Sequence, residues 1–316
     1  MERLVDRGKN HSSKGYACVI LAAMMWASSG TAGKALFEGG MEPFALVQVR
    51  VTLSAILIFL VFLIAARNLL WIRGKDIPFF FLLGSLGMAL VTGSYFYTIS
   101  KIQVAAAILI QYLAPIFVAI FSMVFWKEPA SFRKVVALFL AFGGCYLVVG
   151  GYKIELLQMN RMGILGGLTS AIAFAGYSLL GERAMHRYLP WTVLFYALAF
   201  SVLTWHVIYP PFTYLKGSFT LVQWEWILYI SVVGTILPFG LFFAGINYIR
   251  STRASITAIL EPIFAGFLAL VILDEKLQLP QIIGGVLVIT AIVVLQLQRE
   301  RDEMAPAMIR SGGKTD

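Results

Sequence analysis

Long apolar segments recur along the whole chain and constrain its fold more than any other feature. Ten segments of about 20 residues alternate with short loops that carry charges, Gly or Pro: about 15–36, 43–66, 77–99, 104–126, 132–150, 163–181, 190–208, 224–247, 254–273 and 280–297. With 59% apolar and only 13% charged residues, the chain has more apolar surface than a soluble protein of 316 residues can bury. A bilayer removes that difficulty, so the sequence predicts an all-α integral membrane protein with ten transmembrane helices.

The distribution of basic residues predicts how these helices are oriented. If the N-terminus is cytoplasmic, 18 of the 24 Lys and Arg residues other than Arg50 lie in or at the edge of cytoplasmic loops and tails, as the positive-inside rule requires. The tails 1–14 and 298–316 are then both cytoplasmic, and the protein is expected in a cell membrane, plasma or inner. The net charge of +9 is explained by this topology, so no nucleic-acid partner is expected.

An internal repeat divides the chain. The Pro-Ile-Phe sequence at 115–117 recurs at 262–264, an offset of 147 residues, and in both copies a Glu follows eleven residues after the Phe. Aligning 93–148 with 240–295 without gaps gives 12 identities in 56 positions. Composition alone would give about half that number. The membrane part therefore consists of two related halves.

Each half has five spans, with residues 15–150 in the first half and 163–297 in the second. Because five is odd, the second half enters the membrane from the opposite side, which predicts inverted repeats. Such repeats are typical of secondary transporters, whose halves exchange inward-open and outward-open shapes around a central site. A duplication retained only for stability is the alternative.

Several motifs are similar to those of one transporter family. They are Trp26-Ala27-Ser28-Ser29-Gly30, Arg50, Gln111-Tyr112-Leu113-Ala114-Pro115, Glu128, Leu260-Glu261-Pro262 and Glu275. On these residues the chain resembles the EamA family of the drug/metabolite transporter superfamily over about 15–297. The resemblance implies a central cavity lined by helices 1–4 and 6–9, with helices 5 and 10 at the periphery. Such families carry amino acids, sugars, nucleotide precursors and drugs, so the resemblance leaves the substrate open.

Two charged residues, Arg50 and Glu261, lie deep inside predicted spans, and Glu261 is the only acid there. A charge near mid-membrane costs a few kcal/mol and normally faces a cavity or a partner. Arg50 is predicted to bind a substrate carboxylate or phosphate, with a structural ion pair or snorkelling as alternatives. Glu261 precedes Pro262, which interrupts the helix, so it suits proton or cation coupling. Its alternatives are a pair with Arg50 or a capping role.

The two prolines Pro115 and Pro262 occupy equivalent places and are predicted to kink their helices as hinges around a cavity. Gln111 lies one turn before Pro115, and aromatic residues fall near the same level. Any one of these aromatics alone is more typical of packing or of the interfacial belt. The expected substrate-binding residues are Arg50, Glu261, Gln111, Tyr112, Tyr95 and Trp26.

Other functional classes lack their sequence signatures. The Gly-Lys pairs at 33–34 and 313–314 lack the rest of a phosphate-binding loop, so no ATPase is predicted. No catalytic, metal or cofactor motif is evident either. With the internal repeat and the family resemblance, the expectation is a non-enzymatic secondary transporter that exports a small polar, amino-acid-like metabolite. Its expected partners are the substrate, membrane lipid and a coupling proton or cation. The alternatives are a membrane-embedded enzyme or lipid-handling protein, and a channel.

Overall fold

A computed structural model describes residues 2–38, 40–102, 104–127, 131–152, 160–211, 219–273, 278–296 and 304–312. All regular structure in these ranges is helical. The α-helices are α1 (Glu2–Glu38), α2 (Pro43–Ala65), α3 (Ile77–Leu82), α4 (Leu90–Lys101), α5 (Val104–Gln111), α6 (Ala114–Trp126), α7 (Phe132–Val149), α8 (Arg161–Met185), α9 (Pro190–Ile208), α10 (Leu221–Ser231), α11 (Leu237–Ala258), α12 (Glu261–Leu273), α13 (Leu279–Gln296) and α14 (Pro306–Gly312). The repeated acids Glu128 and Glu275 lie outside the described residues.

Seven helical stretches among the described residues are long and apolar enough to cross a membrane. They are Pro43–Ala65, Gly74–Lys101, Ala106–Trp126, Phe132–Val149, Arg161–Met185, Pro190–Ile208 and Leu221–Ala258. The predicted spans at 15–36, 254–273 and 280–297 fall on α1, on α11 with α12, and on α13. An all-helical, multi-pass membrane protein is therefore confirmed, and the count of ten spans stays a prediction.

Helices from the first half of the chain pack against helices from the second. The closest pairs are α1 with α11, α4 with α8, α2 with α9, and α7 with α13. The Trp26 ring of α1 lies 5.1 Å from the Phe239 ring of α11, measured between ring centres. Part of the protein's core therefore lies at the junction between the halves, where a site shared by both can form.

Helix interruptions occur at matching places in the halves. α5 ends at Gln111 and α6 begins at Ala114, whereas 147 residues later α11 ends at Ala258 and α12 begins at Glu261. Each break immediately precedes a proline, which cannot donate a helix hydrogen bond. π-Helical turns likewise occur at Leu83–Ala89, before α4, and at Val232–Ile236, before α11. Such turns expose backbone groups that a regular helix would use.

A second interruption lies inside α11. Arg250 has φ 65° and ψ 166°, a conformation that is costly for any residue with a side chain. The chain therefore turns at Arg250, between the part of α11 that follows the π turn and the part that leads to α12. This position coincides with the loop predicted between the spans 224–247 and 254–273.

Glycine allows close contact between α7 and α13. A Cβ atom added at Gly144 would lie 2.6 Å from the Gly284 carbonyl oxygen and 2.7 Å from a Val288 methyl carbon. Small residues permit such backbone approach between membrane helices. The adjacent Gly143 and Gly285 have nothing within 4 Å of an added Cβ, so the contact depends on one glycine of each pair.

Candidate functional site

A cavity of about 580 Å³ lies between the two halves of the protein. It is bordered by α1, α2, α4, α5, α6, α8 and the α10–α12 region. All six residues predicted to bind substrate line it: Trp26, Arg50, Tyr95, Gln111, Tyr112 and Glu261. Of the two predicted hinge prolines, Pro115 lines the cavity, and Pro262 is buried beside Glu261 without lining it.

Arg50 is held by the second π turn. The residue is 6% exposed; its Nε donates to Thr235 Oγ1 at 3.1 Å, and its Nη2 donates to the Gly234 carbonyl at 3.4 Å. Thr235 Oγ1 in turn donates to the Ile230 carbonyl at 2.9 Å, five residues earlier. The guanidinium carbon also lies 5.2 Å from the centre of the Phe96 ring, within cation–π range. The π turn thus supplies acceptors that fix the guanidinium at the cavity wall.

These bonds leave part of the guanidinium available. An arginine has five N–H donors, and two are used by Thr235 and Gly234. No carboxylate of the described residues lies within 4.0 Å of Arg50, so the alternative of a direct pair with Glu261 is wrong. The two charges therefore border the same cavity at separate places, and Tyr95 of α4 lines that cavity as well.

Glu261 is bound by a tyrosine from the other half. The Tyr112 hydroxyl lies 2.7 Å from Glu261 Oε2 and 3.1 Å from the Ala258 carbonyl oxygen. Tyr112 is 9% exposed and occupies the break between α5 and α6, whereas Glu261 begins α12. The two helix breaks are thereby joined through a single hydroxyl group.

Gln111 and Trp26 complete the walls in different ways. The Gln111 side-chain oxygen accepts a hydrogen bond from Ser170 Oγ of α8 at 3.0 Å. Trp26 makes edge contacts with Phe239 and Phe174, at ring-centre distances of 5.1 and 6.4 Å. Trp26 therefore forms an aromatic part of the cavity wall and is also packed against other aromatic rings.

The hydroxyls beside Trp26 bond within the protein. Ser28 Oγ donates to the Met25 carbonyl at 2.8 Å and accepts from Tyr229 at 2.9 Å, and Ser29 Oγ donates to the Trp26 carbonyl at 3.0 Å. Ser29 also borders the cavity. Hydroxyls of this kind commonly bond the preceding turn of their own helix.

The sequence missed a second buried acid. Glu182 is 1% exposed near the end of α8, which continues beyond the predicted span at 163–181. Its Oε1 accepts from Arg250 Nε at 3.0 Å and its Oε2 accepts from the Ser251 backbone N–H at 2.7 Å. Glu182 lies one residue beyond the span predicted at 163–181, so the sequence did not mark it as an acid within the membrane part. Arg250 was assigned to a loop, and no signal in either segment connects the two residues.

The family model of the EamA-like transporter family matches residues 13–150 and again residues 161–297. The chain belongs to this family. Both matches lie on the halves that the repeat divides.

Relatives of this EamA-like protein carry transporter names. An "uncharacterized inner membrane transporter YicL" of Salmonella typhimurium is 26% identical over 295 residues, covering 91% of this chain and 97% of the relative. An "uncharacterized transporter" of Archaeoglobus fulgidus is 32% identical over 213 residues, 66% of this chain and 74% of the relative. A solved crystal structure has a TM-score of 0.70 at 18% identity and covers 90% of this chain and 97% of its own, which shows a shared fold.

Proposed function

We propose that this EamA-like protein is a secondary transporter that exports a small, polar, amino-acid-like metabolite by alternating access. The observation that carries the proposal is the cavity, with Arg50 and Glu261 at separate places in its wall. Burying two charges in a membrane is unfavourable unless they face partners or a binding site. A carrier is favoured because relatives carry transporter names and because Arg50 and Glu261 can both recognise a substrate in the cavity.

Opposite charges at separate places suit a zwitterion. The free donors of Arg50 match a carboxylate, because a guanidinium fork binds both of its oxygens. Glu261 can accept from an ammonium group, since Tyr112 is its one donor among the described residues. Tyr95 lines the same cavity and can add a contact to the substrate. A cavity of about 580 Å³ is in the usual range for small-molecule sites.

The proposal includes ten spans arranged as two inverted five-helix repeats, residues 15–150 and 163–297. The matching helix breaks and π turns support it. So do the helix pairs: at the offset of about 147, α1 corresponds to α8 and α4 to α11. The contact of α1 with α11 is then the counterpart of the contact of α4 with α8. Inverted halves of this kind permit two quasi-equivalent shapes around one site.

The ends of the cavity support an outward-open arrangement. The cavity extends to Phe37 and Ile102, at the ends of α1 and α4, which are extracellular if both termini are cytoplasmic. At the cytoplasmic ends of α6 and α8, Arg250 pairs with Glu182 and lies 5.9 Å above the Trp126 ring. We assign this buried cluster as the closed side of the transporter in the cell membrane.

Counterflow into proteoliposomes tests the proposal. Vesicles containing the purified protein are loaded with a mixture of unlabelled amino acids and supplied with one labelled amino acid at a time. Saturable accumulation of at least one is expected, because a carrier exchanges bound substrate. Flux that rises linearly with concentration would indicate a channel. Absence of exchange for every amino acid in well-folded protein would reject an amino-acid-like substrate.

A further inference from the structure

The break between α11 and α12 leaves one backbone carbonyl without its helical donor. In a continuous helix the N–H of residue 262 would bond to the carbonyl of residue 258, but Pro262 has no N–H. α11 accordingly ends at Ala258. The Tyr112 hydroxyl lies 3.1 Å from the Ala258 oxygen and occupies the place of the missing donor.

The same hydroxyl lies 2.7 Å from Glu261 Oε2, so two oxygens compete for one hydrogen. A phenol can donate once and can also accept. When Glu261 is ionised, its charged oxygen is the stronger acceptor and takes the Tyr112 hydrogen. When Glu261 carries a proton, its own O–H donates to Tyr112, and the tyrosine hydrogen turns to Ala258.

We propose that Tyr112 is a positioning residue that couples protonation of Glu261 to the angle between α11 and α12. With the proton bound, hydrogen bonds from Glu261 to Tyr112 and from Tyr112 to Ala258 connect both sides of the break and hold its angle. Without the proton, Tyr112 bonds to α12 alone, and α11 is free to bend at Pro262. The inference rests on the proposed transport function, because the break borders the substrate cavity.

The other groups facing Glu261 do not offer the same exchange. Tyr95 of α4 and Cys145 of α7 are in electrostatic range of Glu261, whereas Arg50 of α2 bonds to the π turn. Phenols and thiols in model peptides are neutral near pH 7, and arginine stays charged. Of these groups, Glu261 is therefore the one whose charge changes under mildly acidic conditions.

The first half has the same break without the acid. Pro115 removes the donor to the Gln111 carbonyl, as Pro262 does for Ala258. At the offset of 147 residues, Ala114 stands where Glu261 stands, and Ile259 stands in the place of the tyrosine. The choice between two acceptors therefore exists at the α11–α12 break, to which Tyr112 reaches from the α5–α6 break. Pro262 removes the donor to Ala258 and Pro115 does not, so the two prolines provide a matched comparison.

Infrared difference spectra between acidic and neutral pH test the coupling on purified protein in lipid, without any substrate. We expect a carboxyl band that disappears in Glu261→Gln, together with a tyrosine band that disappears in Tyr112→Phe and in Glu261→Gln. Pro262→Ala returns an N–H to Ala258, so the tyrosine band should shrink while the carboxyl band remains. Pro115→Ala returns an N–H to the Gln111 carbonyl and not to Ala258, so the Tyr112–Ala258 bond is not replaced and both bands should remain.

Equal tyrosine bands in Pro262→Ala and Pro115→Ala would overturn the coupling, as would a tyrosine band that persists in Glu261→Gln. A wild-type size-exclusion profile for each variant shows that a lost band does not reflect a lost fold. Counterflow in the same vesicles separates this inference from the transport proposal. If the protein exchanges amino acids but the carboxyl and tyrosine bands do not change together, the coupling alone is rejected. If the two bands change together but no amino acid is exchanged, the proposed substrate class alone is rejected.

Discussion

Glu182 and Arg250 are 68 residues apart in the chain and form a buried ion pair with an N–O distance of 3.0 Å. The same carboxylate accepts the backbone N–H of Ser251, directly after the interruption of α11. Because Arg250 has an unfavourable backbone conformation, the bonds from Glu182 to this residue and the next stabilise a turn that would otherwise be costly.

Replacing Glu182 by Gln should destabilise the protein. The change removes the carboxylate charge, whose oxygens accept hydrogen bonds from Arg250 and from the Ser251 backbone. Breaking a buried ion pair lowers the free energy of unfolding by about 3 kcal/mol or more. Denaturant unfolding in detergent measures the change. Glu182→Asp, which retains the charge, should lose less, and Glu225→Gln, at an exposed site, should be neutral. Wild-type stability in Glu182→Gln would contradict the importance of this pair.

Replacing Arg50 by Lys should weaken substrate binding more than an unchanged net charge suggests. The planar guanidinium of Arg50 bonds Thr235 and Gly234 and still has further N–H donors for the cavity. A lysine ammonium has no such planar fork and cannot do both. Losing one charge-assisted hydrogen bond corresponds to about a tenfold higher KM in counterflow. Arg67→Lys, at an exposed residue, is the control and should retain the wild-type KM. Equal KM values for both variants would make Arg50 a structural residue.

Replacing Gly144 by Ala should destabilise the contact between α7 and α13. The added methyl group would lie 2.6 Å from the Gly284 carbonyl oxygen, so the helices must separate, at a cost of about 1–3 kcal/mol. Thermal unfolding in detergent measures the effect. Gly143→Ala is the matched control, since nothing lies within 4 Å of its added Cβ. An equal unfolding temperature for the two variants would show that the close contact is absent in the membrane.

Reporter fusions test the orientation on which the closed side was assigned. Fusions at residues 10 and 305 should both report a cytoplasmic location, because 18 of the 24 Lys and Arg residues other than Arg50 then lie on the cytoplasmic side. A signal from the opposite side at either position would reverse or remove the assignment. The closed cluster at Glu182 would then face outward, and the direction of access would have to be reassigned.

The sequence predicted the residues of the cavity well because membranes make polar residues conspicuous. Arg50, Glu261 and Gln111 stand out in otherwise apolar segments, and the cost of burying them points to a shared cavity. Pro115 and Pro262 likewise marked the two breaks, since the absence of a proline N–H has a local consequence. Such features depend on a residue and its immediate neighbours, which a sequence displays directly.

The features that the sequence could not reveal depend on distant partners. Glu182 follows a predicted span and looks like a loop residue until α8 extends and Arg250 reaches it. The π turn at Val232–Ile236 has no proline or charge to mark it, yet it supplies the acceptors of Arg50. The Tyr112 bond to Glu261 spans 149 residues. Each case requires knowing which helices become neighbours.

The close approach of Gly144 and Gly284 restricts how the two halves can move. At this point the backbones of α7 and α13 approach closely, and the short side chain of Val288 packs beside Gly144. Pulling the helices apart would expose an empty gap that lipid chains cannot fill without losing packing contacts. On the proposed alternating-access mechanism, we expect this contact to act as a pivot, about which one half rocks against the other without separating.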